Sequence, residues 1–270
     1  MKSRRNLIYY LLAVIIVAVF YYPFIWCVST SFKGYEEYYT REFYLIPRHP
    51  TLEHIFYDLE LYGIQPIINS LIITSIATLL VIVITLLASY GNLRLGAGGG
   101  GLPYMLLMLR ASPAISSIIP LFILFKYLGL IDTYVGMILL YTVFNFPLSF
   151  WLLSSFISDI PRDIEDAAMI DGYPRWKVLL RFVVPQITSG LIATAILTFI
   201  FIWSEFLFAI TMTRTVAKPL TVTLQELCSP REIKWGEVAF YCFLATLPVL
   251  ILIFIIQKYL VRGMTFGVVK

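Results

Sequence analysis

The sequence predicts an all-α polytopic membrane protein with six transmembrane helices, and three observations carry that expectation. Of 270 residues, 60% are hydrophobic and only 13% charged, with mean hydropathy +0.86, far from the balance of a soluble domain. Uncharged runs reach or exceed the roughly 20 residues needed to cross a hydrocarbon layer about 30 Å thick. Charged residues gather between those runs, and the stretch Pro161 to Pro185 is the most informative of the gatherings. Little chain is left for a soluble domain, so residues 1–270 read as one transmembrane domain.

The first span, 7–28, follows Met1-Lys-Ser-Arg-Arg5 within a charge-free run from Asn6 to Phe32. That run is too long, and lacks the small-residue cleavage pattern, for a removed signal peptide. The second span, 68–90, lies in the run Leu61 to Leu93. Gly96-Ala-Gly-Gly-Gly-Gly101 then makes a flexible turn, because glycine destabilises a helix interior. The third span, 103–125, holds Pro113, Pro120 and Arg110. Arg110 sits about 10 Å from the span's start at the helical rise, close enough for its side chain to snorkel to the interface. The fourth span, 134–157, carries Asn145 and Pro147 near its middle; the fifth, 187–210, follows the charged stretch; the sixth, 238–257, precedes a short basic tail.

With the amino terminus inside, eleven Lys and Arg fall in inner segments and eight in outer loops, Arg110 being intramembrane. The sign matches the positive-inside tendency and puts both termini in the cytoplasm. The first outer loop, about 33–60, has three basic and six acidic residues, as either a partner surface or a solvated connector would. Cys27, Cys228 and Cys242 lack a paired redox or zinc spacing, and His49 and His54 are the only histidines, so no metal site is expected. No Gly-x-x-x-x-Gly-Lys-Ser/Thr phosphate loop occurs.

The inner stretch 161–185 reads as a helical hairpin. Pro161 suits a first helical turn, and Asp163, Glu165 and Asp166 sit near the positive helix end. Ala167 and Ala168 give a low-profile surface, Gly172 after Asp171 stops the helix, and Trp176 to Val184 leads into Pro185 and the fifth span. A hairpin tied to two spans is suited to meeting a soluble partner; an amphipathic interfacial helix is the other reading.

This segment resembles the cytoplasmic coupling motif, the EAA loop, of binding-protein-dependent ABC importer permeases. Within them it resembles the carbohydrate branch that includes the smaller permease subunit of maltose-type transporters. The matching residues are Glu165-Asp-Ala-Ala168, Asp171-Gly172 and Val184-Pro185. Asn69-Ser70, Leu128-Gly-Leu-Ile-Asp-Thr-Tyr134, Asn145-Phe-Pro147, Glu205-Phe-Leu207 and the tail Tyr259 to Lys270 look like the same branch. The resemblance implies a type I ABC importer permease fold, with Glu165, Asp166, Ala167, Ala168, Asp171, Gly172 and Pro185 coupling the membrane part to ATPase subunits. It further implies a second permease subunit, two ATPase subunits that bind ATP and magnesium, an extracytoplasmic solute-binding protein and a sugar substrate. On that reading this chain is not an enzyme, binds no cofactor or nucleic acid of its own, and lies among lipid in a prokaryotic cytoplasmic (inner) membrane. A self-contained transporter or channel, or a structural scaffold, is the competing class. Three features depart from the family pattern: Asp166 replaces the usual glutamate, Ser204 stands where asparagine is common, and the run Gly98 to Gly101 is unusually bare.

In the fifth span, Thr194, Thr198, Phe201, Glu205 and Phe208 recur at helical spacing and share one face. A carboxylate is costly in lipid, so Glu205 is expected to face protein or water. Hydroxyls, a carboxylate and rings on one face suit a sugar; the other reading has the threonines packing between helices and Glu205 making a structural bond. Tyr141 and Asn145, one turn apart before Pro147, extend the substrate-path reading to the fourth span, with interhelical bonding as the alternative.

Overall fold

The computed structural model describes residues 2–40, 42, 44–53, 55, 56, 60, 63–228 and 233–265; His54 and the end of the tail motif, Phe266 to Lys270, fall outside the described residues. Among the described residues the regular structure is helical, with one isolated bridge between Cys228 and Ile233. Four helices are long and apolar enough to cross a membrane: α1 (Lys2–Thr30), α3 (Gln65–Leu95), α6 (Tyr134–Ser158) and α12 (Trp235–Thr265). They contain the expected spans 7–28, 68–90, 134–157 and 238–257 with a few residues to spare.

The other two expected spans, 103–125 and 187–210, are each interrupted. Residues 103–125 divide into α4 (Leu102–Ala111) and α5 (Ala114–Tyr127), which meet at 91°. Pro113 is the cause: its ring excludes the helical conformation at the preceding residue, and Ser112 is extended at φ −65°, ψ 133°. Pro120, Pro147 and Pro248, by contrast, lie inside helices, as membrane helices tolerate. In the fifth region, α8 (Arg175–Gln186) meets α9 (Thr188–Trp203) at 82°. Within α8, Leu179–Val183 is a single π turn. The helix expected to run to residue 210 ends at Trp203, and a separate short helix, α10 (Leu207–Met212), comes after Ser204-Glu205-Phe206.

The described residues form two compact units, Met1–Ile67 with Val222–Pro248, and Ile68–Thr221 with Val249–Lys270. In the first, Tyr38 of the short helix α2 (Tyr35–Tyr38) donates its hydroxyl to the carbonyls of Thr30 (3.1 Å) and Lys33 (2.7 Å), closing the end of α1. Tyr35 donates to Oε1 of the fully buried Glu237 at 2.7 Å, and the Cys27 thiol donates to the Ala239 carbonyl at 3.1 Å, so α1 and the start of α12 are pinned together. The shaft of α1 is apolar on every side and exposed from Tyr9 through Tyr22, a surface suited to lipid.

The second unit is the densely packed one. Ile73, Ala77 and Val81 lie four residues apart on α3, and Phe150, Leu153 and Ile157 line one face of α6; all six are at most 1% exposed. The start of α9 crosses α6 so closely that a Cβ on Gly190 would lie 2.3 Å from the Phe156 ring. At one end of this unit Asp132, in the left-handed region at φ 57°, gathers the backbone N–H groups of Arg214, Thr215, Val216 and Ala217 at 2.9 to 3.1 Å. Burial raises the Asp132 pKa, but the four backbone donors outweigh it and hold the carboxyl well below its usual range. Asn69 donates to the carbonyls of Val216 (3.0 Å) and Lys218 (2.8 Å) and accepts from the Tyr134 hydroxyl at 2.5 Å. Ser70 accepts at 2.8 Å from the N–H of Leu220, the first residue of α11 (Leu220–Leu227). The motifs Asn69-Ser70 and Leu128 to Tyr134, distant in sequence, therefore meet in one clasp around residues 213–220.

Candidate functional site: a cavity at two helix breaks and a charged hairpin

Within the second unit a cavity of about 690 Å³ lies where α4, α5, α6, α9 and α10 converge. Two helix breaks open onto it, the one between α4 and α5 through Arg110, Ser112 and Pro113, and the one between α9 and α10 through Glu205. Irregular backbone at membrane depth persists where protein buries it or where it lines an aqueous cavity, so these breaks and the cavity explain each other. Of the seven residues expected along a solute path, Tyr141, Asn145, Phe201, Glu205 and Phe208 line the wall.

Glu205 does not ride on the face of a continuous helix. Its Oε1 accepts from the Phe208 N–H at 2.8 Å, and its Oε2 from the Ala209 N–H at 3.2 Å and the Tyr141 hydroxyl at 2.8 Å. In an unbroken helix those two N–H groups would bond to the carbonyls of Ser204 and Glu205; the carboxylate replaces them and starts α10. Thr194 and Thr198 lie outside the cavity wall. Each returns its hydroxyl to the carbonyl four residues earlier at 2.8 Å, and Thr198 also meets Ser149 of α6 at 2.8 Å. For these two the packing reading describes what they touch. Asn145 donates to the Tyr141 carbonyl at 2.9 Å, a bond within α6, while remaining at the wall.

Arg110, expected from sequence to anchor at the interface, has its side chain at the cavity. It lines the cavity, donates from Nη1 to the Phe144 carbonyl at 2.8 Å, and sits with Cζ 5.4 Å from the centre of the Phe201 ring. Pro147 supplies no N–H to the Val143 carbonyl, which loosens α6 next to the carbonyl that Arg110 caps. The signal was present as Arg110-Ala-Ser-Pro113, a cation one turn before a proline that ends a helix. Ser112 and Ser117 add hydroxyls, and Phe144 packs against Phe208 with ring centres 4.4 Å apart and planes tilted by 51°. The wall thus offers a cation, a tethered carboxylate, an amide, hydroxyls and ring faces within one space.

At the opposite end of α6, Arg162–Ile170 (α7) and α8 form the hairpin. Its turn closes through the N–H of Gly172 to Met169 (3.0 Å) and of Tyr173 to Ala168 (3.1 Å), with Gly172 at φ 86°. Asp166, Ala167, Asp171, Gly172 and Ile170 face outward, but Glu165 and Ala168 are 3% and 4% exposed. The expectation that both alanines form an outer surface is corrected for Ala168, because a nine-residue helix must bury one stripe to be held. Pro185 lies in the last turn of α8, just before the 82° bend. Glu165 is enclosed: Arg94 Nε meets Oε1 at 2.6 Å, and the Tyr90 hydroxyl donates to Oε2 at 2.9 Å. Arg94 also donates from Nη2 to the carbonyls of Ile157 and Ile160 at 3.0 Å each, and Arg162 donates to the Leu93 carbonyl at 2.9 Å. Neither Tyr90 nor Arg94 stands out in the sequence, since a charge at the end of a span reads as an interface residue.

Residues 99–266 match the family of binding-protein-dependent transport system inner membrane components, and the chain belongs to that family. It is therefore a multi-pass membrane permease of the ABC-transporter class, a transport component and not an enzyme. Among similar proteins, the trehalose/maltose transport system permease protein of Thermococcus litoralis is 34% identical over 265 residues, covering 96% of this chain and 94% of that one. The trehalose transport system permease protein of Mycobacterium tuberculosis is 32% identical over 276 residues and the whole of both chains. A chain of a bacterial ABC transporter that imports the acidic polysaccharide alginate superposes with TM-score 0.78 over 96% of this chain and 98% of that one, at 19% identity, a likeness of fold.

Proposed function

We propose that this chain is one of two membrane subunits of an ATP-driven importer for a sugar or oligosaccharide, and that the cavity beside Arg110 and Glu205 is its share of the solute path. The observation that carries the reading is the meeting of two helix breaks, α4 to α5 and α9 to α10, at one cavity whose wall mixes ring faces with hydrogen-bonding groups. Such a wall suits a solute that presents both hydroxyls and apolar faces. The full-length likeness to trehalose and maltose system permeases supports a disaccharide-sized cargo.

On this reading the six spans are the four long helices, the pair α4 and α5, and α9, with both termini and the α7–α8 hairpin in the cytoplasm and the Asp132 clasp outside. Two ATPase subunits, which hold the ATP and magnesium, close on nucleotide and displace the hairpin through Asp166, Ala167 and Asp171. An extracytoplasmic binding protein delivers the sugar. The cavity then changes the side it faces, as two packed states of one bundle exchange.

Proteoliposomes holding this chain with its second permease, ATPases and binding protein should accumulate labelled trehalose or maltose only with ATP. Arg110→Met and Asn145→Leu should lower that uptake severalfold while the complex is recovered intact. Uptake by this chain alone without ATP would defeat the importer reading. Unchanged uptake in both variants would remove the cavity from the solute path.

A further inference from the structure

We infer that Arg94 is a positioning residue that locks the hairpin to the cavity-lining helix, so that α3, the end of α6 and α7 move as one block. The inference rests on the hairpin being the ATPase contact proposed above. Arg94 has the contacts such a lock requires. Its guanidinium joins the Glu165 carboxylate of α7 (2.6 Å) to the carbonyls of Ile157, in the last turn of α6, and Ile160, in the link that follows (3.0 Å each), while itself rooted in the last turn of α3. Tyr90, one turn earlier on α3, holds the other oxygen of Glu165 at 2.9 Å. The side chains of Arg94 and Glu165 are 8% and 4% exposed, so water competes little for these bonds.

Apolar packing encloses the same place: Tyr90, Ile157, Ile160, Leu179, Val183 and Ile187 form one buried cluster there. Apolar contact alone lets surfaces slide, because it has no preferred direction. The planar guanidinium fork does have direction, and here its donors reach three acceptors, on α7, on α6 and in the link between them. From Ile157 the helix α6 runs back to Asn145 and Tyr141 at the cavity, about 18 Å away for twelve residues at the helical rise. A push on α7 is thereby delivered along α6 to the wall of the cavity, and not dissipated at the hairpin's base.

Removing one partner leaves the other charged and buried, so Arg94→Met alone is a poor test of motion. The double variant Arg94→Met with Glu165→Met removes both charges and keeps apolar volume. In the assembled transporter, with Cys27, Cys228 and Cys242 replaced by serine, spin labels at Leu79 on α3 and Asp163 on α7 report the distance across the lock; both sites are exposed. The unaltered lock should give one narrow distance that stays the same when vanadate traps the ATPases. The double variant should broaden it and raise ATP hydrolysis in the absence of binding protein severalfold, and Arg94→Lys should fall between. A distance that shifts on trapping with the lock intact, or a double variant with narrow distances and unchanged basal hydrolysis, overturns the inference. Failure of the hairpin reading looks different: Ile170→Arg and Asp171→Arg would then leave ATPase co-purification unaltered, whatever the labels report.

Discussion

Asp132 shows how one side chain can organise a loop that is distant in sequence. A non-glycine residue in the left-handed region carries strain, and here four backbone N–H groups converge on its carboxylate in return. Asp132→Asn keeps the shape but gives one side of the group donors where acceptors are needed. Trypsin should then cut after the exposed Arg214 severalfold faster, and an unchanged cutting rate would show that the clasp is held by Asn69 and Ser70 instead. The pH dependence has a definite sign. Because the folded carboxyl is depressed, its contribution is complete above the unfolded value of about 3.9 and is lost as pH falls through the lower folded value. Protection of amides 214–217 against hydrogen exchange, corrected for intrinsic rates, should therefore persist at pH values where exposed aspartates have already taken up protons.

Two glycines set the geometry of helices, for different reasons. Gly190 is a matter of space: with a Cβ 2.3 Å from the Phe156 ring, Gly190→Ala must push α9 off α6 or turn the ring aside. Overpacking of this kind costs about 1–3 kcal/mol, read as a lower unfolding midpoint in lipid nanodiscs. Phe156→Leu in the same chain should recover part of the loss, whereas additive losses would mean the two helices do not press on each other there. Gly172 is a matter of backbone, since nothing lies within 4 Å of an added Cβ and only its φ of 86° resists substitution. Gly172→Asn should be nearly silent in ATPase co-purification and Gly172→Val should not, β-branching being the harder fit at positive φ. Equal behaviour of the two would point to contact at that position in place of strain.

Across the molecule the two units contrast in what they ask of their side chains. None of the apolar stretch of α1 is buried, whereas 44% of that of α3 and 50% of that of α6 are. Swaps such as Val14→Leu or Ile16→Met should stay within about 0.5 kcal/mol in nanodisc unfolding, while Ala77→Leu in α3 should cost about 1–3 kcal/mol. A large loss at Val14 would reveal a protein neighbour along α1. The same contrast explains what could be read from sequence. Long apolar runs placed α1, α3, α6 and α12, because hydropathy alone decides a span. Pro113 and Pro120 carried equal weight as letters, yet only Pro113 breaks its helix, next to Ser112 and a cavity that accepts the freed backbone. The stripe from Thr194 to Phe208 obeyed helical spacing, but the competition of the Glu205 carboxylate for two N–H groups ended the helix that the spacing assumed. Partners remote in sequence, Arg94 with Glu165 and Asn69 with Val216, leave no local periodicity to find. The π turn at Leu179–Val183 has a consequence for inheritance. Such a turn accommodates one residue beyond an α-helix without rotating the helix on its far side. A descendant that deletes one residue there would keep Gly190 against Phe156, whereas the same deletion in α9 would swing every later side chain by about 100°. Natural length variation in this part of the chain should therefore collect at that turn.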